Sequence, residues 1–222
     1  MARLTKKGPI ITIDGPGGAG KSTVAKRLAE VLGCRYLDTG AMYRAVAYAF
    51  ARQRPENLGA FLAGLPLRFS FGAKIAIFLG DEEISSLIRT PEISLLASRL
   101  SQDPLVRAYL TEIQRSLGRD GGIVVEGRDT GSVVFPQADV KFYLDASIGE
   151  RARRRHTELA AANQDEDEEK VRQEMEKRDE ADSRRDIAPL IRPEGALYVD
   201  TTGKTVEEVV AALEERVKEA RE

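Results

Sequence analysis

The segment IITIDGPGGAGKST, Ile10 to Thr23, restricts the possible folds more than any other stretch of the 222-residue chain. Four β-branched residues, Ile10 to Ile13, read as a buried strand. Val24, Leu28 and Val31 follow at helical spacing. Between them lies the pattern G-x-x-x-x-G-K-S, spelled Gly15, Pro16, Gly17, Gly18, Ala19, Gly20, Lys21, Ser22. Glycines let the backbone wrap tightly and turn successive N–H groups inward, and the helix that opens behind them adds its positive end. Lys21 then reaches the outer phosphates of a nucleoside triphosphate, and Ser22, followed by Thr23, is placed to ligate Mg²⁺. The competing reading, an ordinary glycine-rich turn, leaves the lysine and the hydroxyl unexplained.

Beyond this loop the elements alternate. Tyr36 and Leu37 end a second strand before Asp38, Thr39 and Gly40 turn into a helix. The run LRFSFGAKIAIFLG, with Gly72 and Gly80, alternates in polarity and predicts a small antiparallel insert. Leu95, Leu96, Leu100, Val106, Leu110 and Ile113 predict helix from Ser94 to Leu117, interrupted by Pro104. Ile123 to Val125 form a third strand that ends in Glu126, Gly127, Arg128 and Asp129; VKFYLDAS is a fourth and ALYVD, 196–200, a fifth. Ser147 with Glu150, and Thr205 with Glu208, read as capping boxes, and Val206, Val209, Val210 and Leu213 form the inward face of the last helix. The fold class is therefore α/β, a five-stranded, largely parallel sheet flanked by helices, with ligands expected at the carboxyl ends of the strands.

Composition narrows the function. With 34 Lys and Arg against 36 Asp and Glu, the net charge of -2 argues against broad nucleic-acid binding. The basic start MARLTKKGPI lacks a signal-peptide core, and no run approaches the ~20 apolar residues of a membrane span. A cytoplasmic monomer with no membrane or nucleic-acid partner is expected. The single cysteine, Cys34, reads as a packing residue, and the single histidine, His156, as a solvated neighbour of an arginine run.

Two groups of arginines stand in the charged region that begins at Gly149. Arg151, Arg154 and Arg155, at i, i+3 and i+4, share a helix face from which Arg153 points away. Arg178, Asp182 and Arg185, at i, i+4 and i+7, share another, with two guanidinium forks flanking one carboxylate. Exposed helix ion pairs of about 0.3–0.5 kcal/mol each are one account of them. Beside a phosphate loop, a clamp on the charge of phosphoryl transfer is the other. Glu126 or Asp129 can hold magnesium through water or accept a hydrogen bond from a base, and Arg128 can grip a phosphate.

The stretches IDGPGGAGKST, YLDTGAMYR, IRTPEIS, VVEGRDTGSVVFPQADVKFYLDA and RRDIAPL together make the chain resemble the bacterial cytidylate kinase family of nucleoside monophosphate kinases, over almost its whole length. The resemblance implies ATP-dependent phosphorylation of CMP and dCMP, with ATP and Mg²⁺ as cosubstrate and cofactor. It also implies a core (8–40, 118–148 and 195–222), a monophosphate-binding region with the insert (41–117), and a lid arm (149–186). By the same resemblance Arg44, Arg128 and Arg185 hold the acceptor phosphate, Ser98, Arg107 and Asp129 read the cytosine edge, and Asp182 with Arg178 addresses the ribose. Thr39 and Tyr43 line the acceptor site, and Arg151, Arg154 and Arg155 belong to the lid. Some relatives carry Asp at Glu126 and Gly at Ser22. A GTP-driven switch protein would carry an N-K-x-D guanine reader, which this sequence lacks. A kinase for UMP or shikimate fits the loop equally well and the later motifs worse.

Overall fold

The computed structural model of the chain describes residues 8–71, 75–161 and 166–220. The basic residues before Gly8, the insert's Gly72 and residues 162–165 of the charged arm lie outside it. Five parallel strands form the central sheet: β1 (Ile10–Asp14), β2 (Arg35–Asp38), β6 (Ile123–Gly127), β7 (Val140–Asp145) and β8 (Leu197–Asp200), in the spatial order β2-β6-β1-β7-β8. Parallel strands are joined by helical crossovers that cover both faces, so the central ones read as unbroken apolar runs. β1 and β6 are buried along their whole length.

Alternate residues of these strands feed two cores. Ile11, Ile13, Val124, Phe142 and Leu144 pack against α1 (Lys21–Leu32) and α8 (Val206–Glu219). Ile10, Ile123 and Val125 face α2 (Thr39–Gln53), the short α3 (Leu58–Ala63) and α5 (Pro104–Gly118). The insert is a three-stranded antiparallel sheet of β3 (Leu67–Phe71), β4 (Ile75–Leu79) and β5 (Glu82–Glu83), anchored on Ala41 and Ala45 of α2 by Ile77, Ile84 and Ile88. α4 (Pro91–Leu100) and α5 are separate helices, because Pro104 opens the second at a site where Asp103 caps its amides. Helices α6 (Ile148–Ala161) and α7 (Glu168–Ser183) pair with each other beyond β7. No helix among the described residues is long and apolar enough to cross a membrane.

Three local expectations are corrected. Val31 is 44% exposed, because α1 buries the stripe Val24, Ala25, Leu28 and Ala29 and Val31 falls at its edge. Leu95 is 58% exposed, and α4 buries Ala97 instead. At the start of α6, Ser147 Oγ accepts the Glu150 N–H at 3.3 Å, but the Glu150 carboxylate binds Arg153 and Arg154, so the box stays half closed. The box of Thr205 and Glu208 is complete.

Candidate active site

Register gathers the site. Asp14 pairs with Gly127 and Asp38 with Glu126, so the loop after β1, the start of α2 and the segment after β6 leave the sheet side by side at its carboxyl edge. The glycines of the loop are required by their surroundings. A Cβ on Gly15 would collide with the Leu144 carbonyl oxygen, and Gly20, at φ 81°, caps α1 in the left-handed region. Lys21 is buried and donates through Nζ to the Pro16 carbonyl at 2.6 Å. Burial, and then Arg128, lower its pKa from 10.5 to about 7 against the pull of Glu126 and Asp14. Ser22 and Thr23 are exposed on the first turn of α1 and open into the cleft. The buried Ala19 carbonyl accepts from Thr201 Oγ1 at 3.2 Å, which ties the loop to the end of β8.

The cleft has a volume of about 470 Å³ and is lined by the loop, α2, α4, the segment after β6, and α6 and α7. Thr39 donates to the Glu126 carbonyl at 2.8 Å and fills the space beside Gly127, where a Cβ would lie 2.5 Å from its hydroxyl. Arg44 pairs with Asp38 at 3.0 Å, and its buried Nε has no hydrogen-bond partner among the described residues. Asp182 pairs with Arg185 at 2.6 Å and with Arg128 at 3.1 Å. The fork around Asp182 is thus built by Arg128 and Arg185. Arg178, placed with Asp182 by spacing, makes no ion pair among the described residues. It is accessible from the cleft mouth; crowding by protein, then Arg128, and more weakly Arg44, lower its pKa to about 10 while Asp182 opposes them. Four guanidiniums, three of them paired with the two carboxylates Asp38 and Asp182, leave this end of the cleft with an excess of positive charge.

Arg107 and Asp129 form a buried ion pair. Arg107 also donates to the Ser101 carbonyl at 3.0 Å and lies 5.9 Å from the Tyr43 ring centre. Ser98, Tyr43 and Asp129 line the same cleft. The three lid arginines diverge. Arg151 is buried and donates to the carbonyls of Ala146 (3.0 Å) and Gly17 (3.1 Å) and to Asp179. Arg154 binds Glu150 (2.8 Å) and the Thr201 carbonyl (2.7 Å). Arg155, paired with Glu158 at 3.1 Å, is the one of the three that lines the cleft. Arg153 binds Glu150 on the exposed side.

The cytidylate kinase family model matches residues 11–219. The chain belongs to the cytidylate kinase family. It is 45% identical to a cytidylate kinase of Geobacter sulfurreducens, over 99% of this chain and 97% of the relative. It is 48% identical to one of Carboxydothermus hydrogenoformans, over 91% and 94%. An uncharacterized protein of Eubacterium ventriosum shares the fold at 13% identity, with a TM-score of 0.57 over 96% of this chain and 99% of that one.

Against the frame of a cytidylate kinase, three features escape a reading by motif. Asp14, fully buried, accepts from Thr130 N (2.8 Å), Thr130 Oγ1 (2.8 Å) and Gly131 N (2.7 Å) and so sets the π-helical turn Thr130–Val134 behind Arg128 and Asp129. Burial raises its pKa to about 6 despite those bonds. Tyr36 donates to Glu126 at 2.7 Å, fixing a buried carboxylate that also hydrogen-bonds the Ser22 side chain. Asp179 faces the phosphate loop. For Asp14 and Asp179 the sequence offers only a strand-end acid and one more charge in an acidic helix, signals too common to single them out. The hydroxyl of Ser22 and the carboxylate of Glu126 are hard oxygen donors of the kind a magnesium ion takes directly or through water, so the residues present fit that ion.

Proposed function

We infer that the chain transfers the γ-phosphoryl group of ATP to CMP and dCMP, giving CDP and dCDP. One observation carries this reading: a phosphate loop with a buried lysine opens into the same cleft as the guanidiniums of Arg44, Arg128, Arg178 and Arg185, so two anionic groups can be held face to face. Gly15 to Thr23 hold the β and γ phosphates through main-chain N–H groups, with Lys21 leaving Pro16 to meet the charge that develops on the transferred group. Bound magnesium would be held by Ser22 and, through water, by Glu126 or Asp129, and would supply positive charge against the negative charge of the phosphates.

Arg44, Arg128 and Arg185 orient the acceptor phosphate, and Thr39 and Tyr43 shape its pocket. An oxygen of that phosphate attacks the γ phosphorus as the bond to the β-bridging oxygen breaks; ADP leaves with that electron pair. The attacking oxygen is already anionic near neutral pH, so no general base is required. Asp182 and Arg178 address the ribose, and Ser98, Arg107 and Asp129 the base. Arg155 closes over the phosphates from the arm 149–186, Arg151 and Arg154 hold that arm to the core, and the region 41–117 carries the acceptor.

ADP release, measured by coupled assay with CMP, dCMP, UMP, AMP and shikimate in turn, tests the assignment. Efficient turnover confined to CMP and dCMP is expected. Preference for any of the other three would refute it.

A further inference from the structure

Three of the six arginines of α6 and α7 pair with a glutamate three or four residues away on the same helix and remain solvated: Arg153 with Glu150, Arg155 with Glu158 and Arg172 with Glu176. Arg151 does not. Its hydrogen-bonded carboxylate partner, Asp179, lies 28 residues on, in the other helix, and both side chains are largely withdrawn from solvent; a second carboxylate, Asp145, stands 3.9 Å away. The same Nη1 that meets Asp179 Oδ2 also donates to the Gly17 carbonyl at 3.1 Å. Asp179 Oδ1 in turn accepts the Gly17 N–H at 3.4 Å. Both main-chain groups of one phosphate-loop residue are therefore held from α6 and α7 through a closed ring of Gly17, Asp179 and Arg151. Next to it, Gly18 sits at φ +75° under the same two helices: a Cβ there would lie 2.7 Å from Met175 Cε and 3.0 Å from Arg151 Cβ.

We propose that Asp179 is a positioning residue for phosphoryl transfer, holding the Arg151 guanidinium against Gly17 so that the closed α6–α7 arm fixes the main-chain groups of the phosphate loop. The proposal rests on the function inferred above for its effect on rate, but not for its effect on nucleotide binding. Asp179 follows Arg178 directly and precedes Asp182 by three residues, yet its contacts run to the loop, whereas theirs run to the acceptor end of the cleft. Its loss should consequently be felt by the ATP side. Without the carboxylate charge, the guanidinium keeps the carbonyls of Ala146 and Gly17 and the Asp145 carboxylate at 3.9 Å, and the single oxygen of an asparagine cannot serve both Arg151 and the Gly17 N–H.

Four variants decide the matter: Asp179→Asn, Asp179→Glu, Arg151→Gln and the double variant Asp179→Asn/Arg151→Gln. Calorimetric titration with ATP alone and with CMP alone is paired with initial rates at varied ATP and CMP, and thermal melts accompany each protein. Asp179→Asn is expected to weaken ATP binding and lower kcat by about tenfold each while CMP binding stays within about twofold. Asp179→Glu, which keeps the charge on a longer arm, should recover part of both and serves as the test if the asparagine variant does not fold. In the Arg151→Gln background the asparagine substitution should add little, as befits two residues acting through one contact. ATP binding within about twofold of wild type, equal weakening toward CMP, or independent multiplication of the two substitutions would each overturn the proposal. A wild-type protein that binds ATP but phosphorylates neither CMP nor dCMP would overturn the inferred function alone, because the ATP titrations still judge Asp179.

Discussion

The ion pair of Arg107 and Asp129 can be taken apart in a way that separates its structural and its selective contributions. The two side chains are 5% and 9% exposed, so each charge depends on the other for the solvation it has lost. Asp129→Asn leaves a buried guanidinium with the Ser101 carbonyl and the face of Tyr43 as its remaining support. Breaking such a pair from one side costs about 3–5 kcal/mol, and the retained amide oxygen places this case near 3. At roughly 2–4 °C per kcal/mol for a domain of this size, the melting temperature should fall by about 6–12 °C. Replacing both partners by apolar groups, Arg107→Met/Asp129→Leu, removes both charges and should return most of that loss. Selectivity should not return with it. Cytosine presents an amine donor and an N3 acceptor where uracil presents a carbonyl and an N–H, so a pocket stripped of its carboxylate and guanidinium no longer distinguishes them. Calorimetric melts with kcat/KM for CMP and UMP in all three proteins provide the measurement, and a fall of at least about thirtyfold in the CMP to UMP ratio is expected in the stable double variant. A single variant that loses less than about 1 kcal/mol would refute the reasoning about burial. A double variant that keeps the ratio would refute the reasoning about the base.

Lys21→Met should abolish turnover by orders of magnitude in a folded protein. Because a lysine with a folded pKa near 7 is neutral above it, the wild type gains stability as pH rises from 7 toward 10.5; the variant's advantage, at most about 5 kcal/mol, should be largest at or below pH 7 and fade across that window in melts without nucleotide. Gly18→Ala pays about 1 kcal/mol for its left-handed φ and more for the overlap with Met175, so Met175→Ala in the same chain should restore part of the urea-denaturation midpoint. Asp182→Ala leaves Arg128 and Arg185 facing each other; it should lower CMP turnover at least about tenfold and melt earlier, while calorimetric ATP affinity stays near wild type.

The strands of the core are legible in the sequence because a strand covered on both faces is buried at every position and so rich in β-branched residues, as Ile10–Ile13 and Ile123–Val125 are. The insert is legible for the opposite reason: one face of β3 is open, and its residues alternate. Its third strand is not, since Glu82 and Glu83 have no strand character of their own and are extended only because Phe78 and Leu79 pair with them. The turn Thr130–Val134 is hidden in the same way, being set by Asp14 from 116 positions away.

Side-chain partners in the arm show where spacing stops being informative. Periodicity correctly places Arg151, Arg154 and Arg155 on one helix, but a guanidinium goes to whichever acceptor offers the deepest, best-aligned contact, and local spacing describes only the acceptors on its own helix. Arg154 can reach Glu150 four residues back, and it also finds Thr201 at the end of β8. Arg151 bypasses its local acids for Asp179 and Gly17. Arg178, four residues before Asp182, does not pair with it; Arg128, which follows β6, and Arg185 do. An assignment of cations from spacing alone therefore gives a ligand arginines that distant acceptors have already claimed, here the Thr201 carbonyl after β8 and the Asp179 carboxylate on the facing helix.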